Sequence, residues 1–208
     1  MEGGSLEDLE SDQIKLTWGR RIDVAIALMF LHHECYPCIV HRDVKASNVL
    51  LDKDGKVRVT DFGFARVVDV GDSHVSRVVA GTIGYVVPEY GQTWHATAKG
   101  DLYSFGVLAM DLATGRRASD GGEECLGEWA KPVMVNGRQG LSRSVIPVVL
   151  LGFGLAEGAE EMSELLWVGV KCTAESPQAR PNMKEVLAML IKISCIRGEF
   201  NYDHSPPL

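Results

Sequence analysis

The apolar residues of this chain recur at helical spacing in four segments. An apolar stripe at intervals of three and four residues predicts amphipathic helices over residues 18–33, 160–172 and 182–193. The segment 101–114 is apolar around most of its circumference, so we expect a buried helix that ends at Gly115. The pattern therefore predicts a mostly helical domain.

The helix predicted over residues 18–33 contains both apolar positions and a histidine pair. Its predicted apolar face consists of Ile22, Ala25, Ile26, Met29 and Phe30. The adjacent His32 and His33 would point about 100° apart on a helix. We interpret them as part of the helix end rather than as metal ligands.

One β-hairpin is predicted after this helix. The short apolar runs Val49–Leu51 and Val57–Val59 flank the dipeptide Asp54-Gly55. An Asp-Gly pair between two apolar runs is typical of a tight hairpin turn. We therefore expect these two runs to pair as antiparallel strands.

The remaining segments show no sustained period. Residues 1–13 are interpreted as an irregular acidic lead-in, residues 62–93 as a loop, and residues 194–208 as a flexible tail. Residues 116–158 are rich in Gly and Pro connections, and only a short helix at 125–130 is predicted there.

Composition and charge favour a globular acidic domain. The chain has 208 residues, of which 46% are apolar and 24% charged, and its net charge is −7. These values argue against a nucleic-acid-binding surface, which is usually basic. No signal peptide is apparent, and the apolar run 145–155 is only about half the roughly 20 residues that a membrane helix needs. We therefore expect no membrane span in this chain.

The five cysteines suggest no disulfide framework. Their odd number and wide spacing fit a reducing compartment. Cys35 and Cys38 form a Cys-x-x-Cys pair, but no second pair follows at the spacing of a zinc site. We interpret them as two ordinary thiols.

One short segment carries most of the candidate chemistry. Residues 41–48 read His-Arg-Asp-Val-Lys-Ala-Ser-Asn, and Asp61 opens an Asp-Phe-Gly triplet 13 positions later. Asp43 can orient an attacking hydroxyl, and Lys45 can neutralise charge on a phosphoryl group. Asn48 and Asp61 can hold metal ions. Phosphoryl transfer needs these groups, because the protein there supplies positioning and charge neutralisation.

These motifs resemble the C-terminal lobe of eukaryotic protein kinases over residues 14–193. A Pro-Glu pair at 88–89 and an Arg-Pro pair at 180–181 strengthen the resemblance. Within that family the chain is most similar to the plant leucine-rich-repeat receptor-like serine/threonine kinases. The resemblance implies a mostly α fold with a small β-hairpin, a protein-kinase-like C-lobe that lacks the N-lobe.

The resemblance also implies a role for each site residue. Asp43 and Lys45 would be catalytic, and Lys45 would in addition contact ATP. Asn48 and Asp61 would bind Mg²⁺, which prefers hard oxygen ligands. Leu50 would pack under the adenine ring of ATP.

The resemblance also implies a regulatory role for a second set of residues. Arg42, beside the catalytic carboxylate, is expected to bind a phosphorylated side chain and so to order the activation loop. Ser73, Ser76 and Thr82 are the candidate phosphate acceptors.

For a third set of residues, the resemblance implies a structural role in the site. Glu89 is expected to pair with Arg180, whose planar guanidinium suits a bidentate carboxylate contact. Asp101 is expected to hold the backbone of the turn at residues 41–43.

By this resemblance we expect a fragment of a serine/threonine protein kinase domain that acts in receptor-like signalling. Its expected partners are protein substrates and partner receptor kinases, and nucleic acid is not expected. Its expected location is the cytoplasmic side of the plasma membrane, to which the parent family is anchored. The sequence has no Gly-rich phosphate loop, so we expect weak ATP binding and negligible kinase activity from this chain alone.

Two other interpretations stay open. The chain could be a non-catalytic, pseudokinase-like interaction module that binds partner kinases or substrates through residues 78–100 and the helices after residue 160. It could also be a truncated product without a stable function.

Overall fold

The computed structural model describes residues 4–11, 18–54, 56–68, 81–89, 97–118, 126–130 and 159–196. The helices are α1 Leu6–Ser11, α2 Trp18–Met29, α3 Ala98–Thr114, α4 Ala159–Cys172 and α5 Met183–Ile196. The strands are β1 Cys38–Val40, β2 Val49–Leu51, β3 Val57–Val59 and β4 Arg66–Val68. Among the described helices, none is both long and apolar enough to cross a membrane.

Helix α3 is the centre of the hydrophobic core. Residues 100–111 are all buried, so the helix is enclosed on every side, as its sequence predicts. The Gly100 amide donates to Thr97 Oγ1 at 3.1 Å and caps the start of the helix. Gly115 ends the helix with φ 67°, and its amide donates to the Asp111 carbonyl at 2.7 Å.

Helices α3 and α4 cross at two glycines. A Cβ added to Gly169 would lie 2.5 Å from Met110 Cγ and 2.8 Å from the Gly106 carbonyl oxygen. A Cβ added to Gly106 would lie 2.7 Å from Cys172 Cβ. No side chain fits at either position without displacing its neighbours, and the two backbones therefore approach closely.

The sequence pattern suggested an irregular N-terminal segment, and this prediction is wrong for the part that the structure describes. Within residues 1–13 the described part contains helix α1, which a capping box starts. The Asp8 amide donates to Ser5 Oγ at 3.1 Å, and the Ser5 amide donates to Asp8 Oδ2 at 2.8 Å. Leu6 is only 1% exposed. A cap and one buried leucine define this helix, and it is too short for an apolar period to reveal it.

The buried face of α2 matches the predicted face only in part. Leu28 and Leu31 are buried, whereas Phe30 is 56% exposed. Phe30 follows Leu28 by two positions, which is about 200° around a helix. After α2 the chain continues as a π-helical turn, Phe30–Glu34, which the Cys35 amide closes by donating to the Phe30 carbonyl at 3.0 Å.

A second sheet accompanies the predicted hairpin. Strands β2 and β3 pair antiparallel with Leu50 opposite Arg58, as expected. Strands β1 and β4 also pair antiparallel, with Ile39 opposite Val67. The predicted hairpin is therefore confirmed, whereas the prediction of a loop over residues 62–93 is wrong at β4. Three-residue strands are too short to show alternation, and only their pairing defines them.

The C-terminal helices follow the prediction closely. Residues 126–130 are helical, and the rest of the predicted 125–130 segment lies outside the described residues. The Glu185 amide donates to Asn182 Oδ1 at 3.0 Å, and the Asn182 amide donates to Glu185 Oε2 at 2.7 Å, so a capping box starts α5. Helix α5 extends to Ile196, into the predicted tail, whose remaining residues are not described.

Cys35, Cys38 and Cys172 are free thiols. Cys35 and Cys38 are half-buried, and Cys172 is buried between α3 and α4. Burial raises the pKa of the Cys172 thiol to about 12. At neutral pH this group is therefore an uncharged packing residue.

The glycine crossing leads to a stability prediction. Gly169→Ala should lower the free energy of unfolding by about 1–3 kcal/mol, because the new methyl group has no space against Met110. Gly127→Ala is the matched control, since the nearest atom to its added Cβ is 3.8 Å away. Urea unfolding should show a lower midpoint for the first variant only. An unchanged Gly169→Ala midpoint would contradict the close crossing.

The capping box of α1 leads to a pH prediction. The Ser5 amide, and after it the Ser5 hydroxyl, holds the pKa of the Asp8 carboxyl below 3.8. Because the folded-state pKa is lowered, the ionised carboxylate stabilises the fold above the unfolded pKa, and this contribution is lost as the pH falls through the folded pKa. Asp8→Asn should therefore lower the urea midpoint at neutral pH.

The difference from the unmodified chain should shrink as the pH falls through the lowered folded-state pKa of Asp8, because both chains then carry a neutral side chain. Asp54→Asn, in the exposed hairpin turn, should leave the midpoint unchanged at neutral and at low pH. If the Asp8→Asn difference persists at low pH, its cause is not the ionised carboxylate.

Candidate active site

Asp101, near the start of α3, holds the turn that precedes Asp43. Its Oδ1 accepts from the Arg42 amide at 2.7 Å, and its Oδ2 accepts from the His41 amide at 2.7 Å. Arg42 has φ 74°, which is uncommon for a residue other than glycine. The two hydrogen bonds hold the backbone in this conformation, and the contact lies where the sequence predicts it.

His32 makes a third contact with Asp101. Its Nε2 lies 2.8 Å from Asp101 Oδ2, and both side chains are 1% exposed. The other ring nitrogen, Nδ1, is buried without a hydrogen-bond partner among the described residues. His32 therefore contacts Asp101, the residue that holds the turn at residues 41–43. Its interpretation as a helix-end residue did not predict this contact.

Three side chains meet at the Asp43 carboxylate. Asn48 Nδ2 donates to Asp43 Oδ2 at 2.9 Å and to the Asp43 carbonyl at 2.8 Å. Thr82 Oγ1 donates to Asp43 Oδ1 at 2.7 Å. Lys45 Nζ lies 3.1 Å from Asp43 Oδ2 and donates to Thr82 Oγ1 at 2.8 Å. The structure thus brings together Asp43, Lys45 and Asn48, and adds Thr82.

The residue before Asp61, Thr60, is hydrogen-bonded to Asn48. Thr60 donates to the Asn48 carbonyl through its amide at 2.9 Å and through its hydroxyl at 3.1 Å. Asp61 itself has φ 61°, is exposed, and accepts from the Gly63 amide at 3.3 Å. Within the described residues its carboxylate makes no hydrogen bond to the other three predicted site residues.

The ring of His41 connects the turn to the segment after β3. His41 Nε2 lies 2.9 Å from the Thr60 carbonyl oxygen, and the ring packs edge-on against Phe62 with 4.9 Å between centroids. Phe62 remains 47% exposed. Leu50, the predicted adenine contact, is half-buried in β2. Both apolar side chains are thus accessible to a ligand.

The predicted regulatory residues are only partly described. The Arg42 side chain donates through Nη1 to the Phe64 carbonyl at 3.4 Å, which links the turn to the segment after Asp61. Thr82, a candidate phosphate acceptor, has its hydroxyl engaged with Asp43 instead. The other two candidates, at positions 73 and 76, lie outside the described residues.

The predicted pair between Glu89 and Arg180 is present and bidentate. Arg180 Nη1 donates to Glu89 Oε1 at 2.5 Å, and Nη2 donates to Glu89 Oε2 at 2.8 Å. Arg180 Nε also donates to the Ala174 carbonyl at 2.8 Å, and the guanidinium lies 5.1 Å from the Tyr103 ring centroid. Arg180 is 1% exposed, so this pair fixes the segment 81–89 to the core.

Asn48 and Asp61 offer oxygen ligands for a divalent cation. The Asn48 amide nitrogen donates twice to Asp43, and within the described residues no hydrogen bond to Asn48 Oδ1 is found. The exposed Asp61 carboxylate accepts only one amide hydrogen bond. Mg²⁺ usually takes one or two protein oxygens and completes its shell with phosphate and water. These residues therefore fit Mg²⁺.

Sequence reasoning named His32 and Thr82 but did not predict their contacts in this network. His32 follows Ala25 and Leu28 at helical spacing, and this signal could have placed it on the buried face. Thr82 carried no comparable signal, because it lies 39 positions from Asp43 and only the folded chain joins them.

The chain matches the family model of the protein kinase domain over residues 1–190. A probable LRR receptor-like serine/threonine-protein kinase of Arabidopsis thaliana is 67% identical over 205 residues, which cover 97% of this chain and 18% of that protein. The leucine-rich repeat receptor protein kinase EMS1 of the same species is 43% identical over 189 residues, which cover 86% of this chain and 15% of that protein. The chain thus spans less than a fifth of the length of these two relatives.

A solved structure shows the same fold. The pseudokinase domain of BIR2, an immune regulator of the RLK/Pelle family, is similar with a TM-score of 0.75 and 30% sequence identity. The similarity covers 96% of this chain and 60% of that chain. The described fold is therefore protein-kinase-like.

The Arg180 contacts lead to a stability prediction for a substitution that keeps the positive charge but changes the geometry of the side chain. Arg180→Lys should lower the free energy of unfolding by about 2–4 kcal/mol, because an ammonium cannot make both Glu89 bonds and the Ala174 bond. Arg58→Lys is the matched control, since the Arg58–Asp52 pair is largely exposed and should change stability by less than about 1 kcal/mol. Chemical unfolding of both variants makes the comparison. Equal effects would contradict a buried bidentate role.

Proposed function

Because the chain belongs to the protein kinase domain family, we propose that its site transfers the terminal phosphoryl group of ATP to serine or threonine hydroxyls of proteins. The observation that carries this proposal is the Asp43 carboxylate, which Asn48 and Thr82 orient and which Lys45 accompanies at 3.1 Å. A carboxylate beside an ammonium group is the arrangement that phosphoryl transfer uses.

Asp43 orients the substrate hydroxyl and accepts its proton, for which its fixed carboxylate is suited. Two of its neighbours keep it in one rotamer, since Thr82 binds Oδ1 and Asn48 binds Oδ2. Lys45 is 23% exposed at its side chain and can neutralise charge on the moving phosphoryl group.

Mg²⁺ bound with ATP would supply charge neutralisation on the phosphates. Asn48 Oδ1 and the Asp61 carboxylate would hold the ion. Leu50, half-buried in β2, would provide an apolar surface for the adenine ring. The exposed position of Asp61 and the half-buried position of Leu50 support the proposal.

We propose that activation-loop phosphorylation acts through Arg42, with Ser73 and Ser76 as acceptors. Thr82 suits a different role, because its hydroxyl donates to Asp43. A phosphate on Thr82 would remove this donor and place negative charge beside the carboxylate, which like-charge repulsion disfavours.

We also propose that the described elements form the C-terminal lobe of a kinase domain and need an ATP-binding lobe for turnover. The absence of a Gly-rich phosphate loop from the sequence supports this proposal. The partners would be protein substrates and other receptor kinases on the cytoplasmic side of the plasma membrane, a proposal that the similarity to two receptor kinases supports.

The alternative is a non-catalytic interaction module. The similarity to the pseudokinase domain of BIR2 favours it. The presence of Asp43, Lys45, Asn48 and Asp61 favours the catalytic function, because a module that only binds partners does not require this set of groups.

The chain alone should transfer no measurable phosphate. Purified chain, incubated with radiolabelled ATP, Mg²⁺ and a generic protein substrate, should give the same low signal as its Asp43→Asn variant. The physical reason is that half of the electrostatic surroundings of the triphosphate are missing. Turnover that depends on Asp43 would contradict the proposed need for a second lobe.

A chimera tests the catalytic function itself. The matched segment of the 67% identical Arabidopsis kinase is replaced by this chain, and phosphoserine and phosphothreonine are measured in the product. Asp43→Asn should reduce the rate by about 100-fold or more, whereas Asp54→Asn in the exposed hairpin turn should not. A correctly folded chimera without Asp43-dependent transfer would favour the interaction module.

A further inference from the structure

We propose that Ser176 is a phosphorylation site for a proline-directed serine/threonine kinase, and that its phosphate weakens the ion pair between Glu89 and Arg180. Ser176 precedes Pro177 in the connection between α4 and α5. The modifying enzyme is a second protein. The effect of the phosphate on catalysis rests on the proposed function of this chain, whereas the modification itself does not.

The hydroxyl of Ser176 is accessible. Its side chain is exposed, whereas the other serine side chains that the structure describes are half-buried or buried, namely Ser5, Ser47, Ser104, Ser163 and Ser194. Ser176 Oγ donates to the exposed Gln178 Oε1 at 2.7 Å and makes no capping bond to the turn that follows. Because water competes with this exposed bond, the hydroxyl can leave it at little cost.

The backbone around Ser176 suits an enzyme that selects a following proline. Ser176 is extended, with φ −75° and ψ 122°, and Pro177 begins the short 3₁₀ turn Pro177–Ala179. A proline has no amide proton and a fixed φ, so it is recognised by its apolar ring without a backbone hydrogen bond. The folded chain thus presents an extended serine and the ring beside it at the surface.

The modification is a substitution at phosphorus. A bond forms between Ser176 Oγ and the γ-phosphorus of ATP, the bond from that phosphorus to the β–γ bridging oxygen breaks, and ADP leaves. The hydroxyl proton passes to the catalytic carboxylate of the modifying kinase. The product carries a charge of about −1.5 to −2 at neutral pH.

Arg180 has no free donor for this new charge. A guanidinium carries five N–H donors. Two of them bind the Glu89 carboxylate, and the other three bind the carbonyl oxygens of Lys99, Ala174 and Glu175. The Arg180 side chain is 0% exposed. A phosphate can therefore reach the guanidinium only by displacing a group that is already bound.

Repulsion from Glu89 is then the main effect of the phosphate. The Glu175 carbonyl oxygen and Glu89 Oε2 share Arg180 Nη2, at 3.3 and 2.8 Å. Ser176 is the next residue along the chain, so its phosphate lies near the Glu89 carboxylate and beside the exposed Glu175 side chain. Like charges so placed disfavour each other.

Two lysines in this region bind other groups. Lys99 Nζ donates to the carbonyl oxygens of Arg180 and Pro181. Lys171 Nζ lies 5.5 Å from the centroid of the Trp167 ring, one turn back along α4. The phosphate therefore weakens the pair that fixes the segment 81–89 to the core, and this segment carries the hydroxyl that orients Asp43.

The first experiment identifies the modified residue. The folded chain is incubated with a purified proline-directed kinase and MgATP, and phosphopeptides are located by mass spectrometry. All chains carry Ser205→Ala, because Ser205 also precedes a proline. Ser176 should be phosphorylated, and Pro177→Ala should slow its modification at least about tenfold, because the apolar ring is lost. Gln178→Ala keeps the proline and is the matched control, which should not slow it.

The second experiment measures the effect of the phosphate. The phosphorylated chain should have a lower urea midpoint than the unmodified chain, and amide hydrogen exchange over residues 81–89 should be faster. Both differences should shrink in about 1 M NaCl, where the Debye length is only about 3 Å. In Glu89→Gln the phosphate should lower the midpoint less, because the repelling charge is gone. If that variant does not fold, the salt dependence decides the question.

Absence of phosphate from Ser176, or equal modification of Pro177→Ala, would overturn the assignment of the site. A midpoint that phosphorylation raises or leaves unchanged would overturn the effect on the ion pair. In an active chimera, phosphorylation of Ser176 should slow phosphoryl transfer. Neither measurement on the chain itself requires its own catalysis, so an inactive chimera refutes only the proposed function.

Discussion

The buried carboxylate of Asp101 is the interaction on which the geometry of the site depends. Removing an ionised carboxylate from water is unfavourable unless hydrogen bonds replace its hydration. Asp101 obtains these bonds from the His41 and Arg42 amides and from the His32 ring. The same bonds hold Arg42 in a left-handed conformation. The requirement to solvate one buried charge therefore also sets the direction of Asp43.

Helix α3 connects the turn at residues 41–43 to the segment 81–89. Asp101 binds the turn from the start of the helix, and Ser104 Oγ donates to the Tyr85 carbonyl at 2.8 Å one turn later. Tyr103, between them, packs against the guanidinium of Arg180. Because the helix is enclosed by the core, it holds these contacts at fixed positions relative to one another. The close crossing with α4 has a functional consequence, since it keeps this helix in place.

The errors in the sequence prediction have a common physical origin. Helix α1 and strands β1 and β4 contain between three and six residues, and an apolar period cannot be recognised over that length. Phe30 was assigned to the buried side because apolar character alone does not decide which of two adjacent apolar faces meets the core. The long helices were predicted well, because repeated periods and capping residues such as Gly115 mark them.

The sequence by itself determined the four long helices, the hairpin and the segment 41–48, where Asp43, Lys45 and Asn48 are close enough along the chain to share one site. Motif resemblance also predicted the contact of Glu89 with Arg180, although 91 positions separate them. Only the tertiary structure decided that Thr82 bridges Asp43 and Lys45, and that His32 supports Asp101. A hydrogen bond between distant residues depends on how the core packs, and local propensity contains no information about that packing.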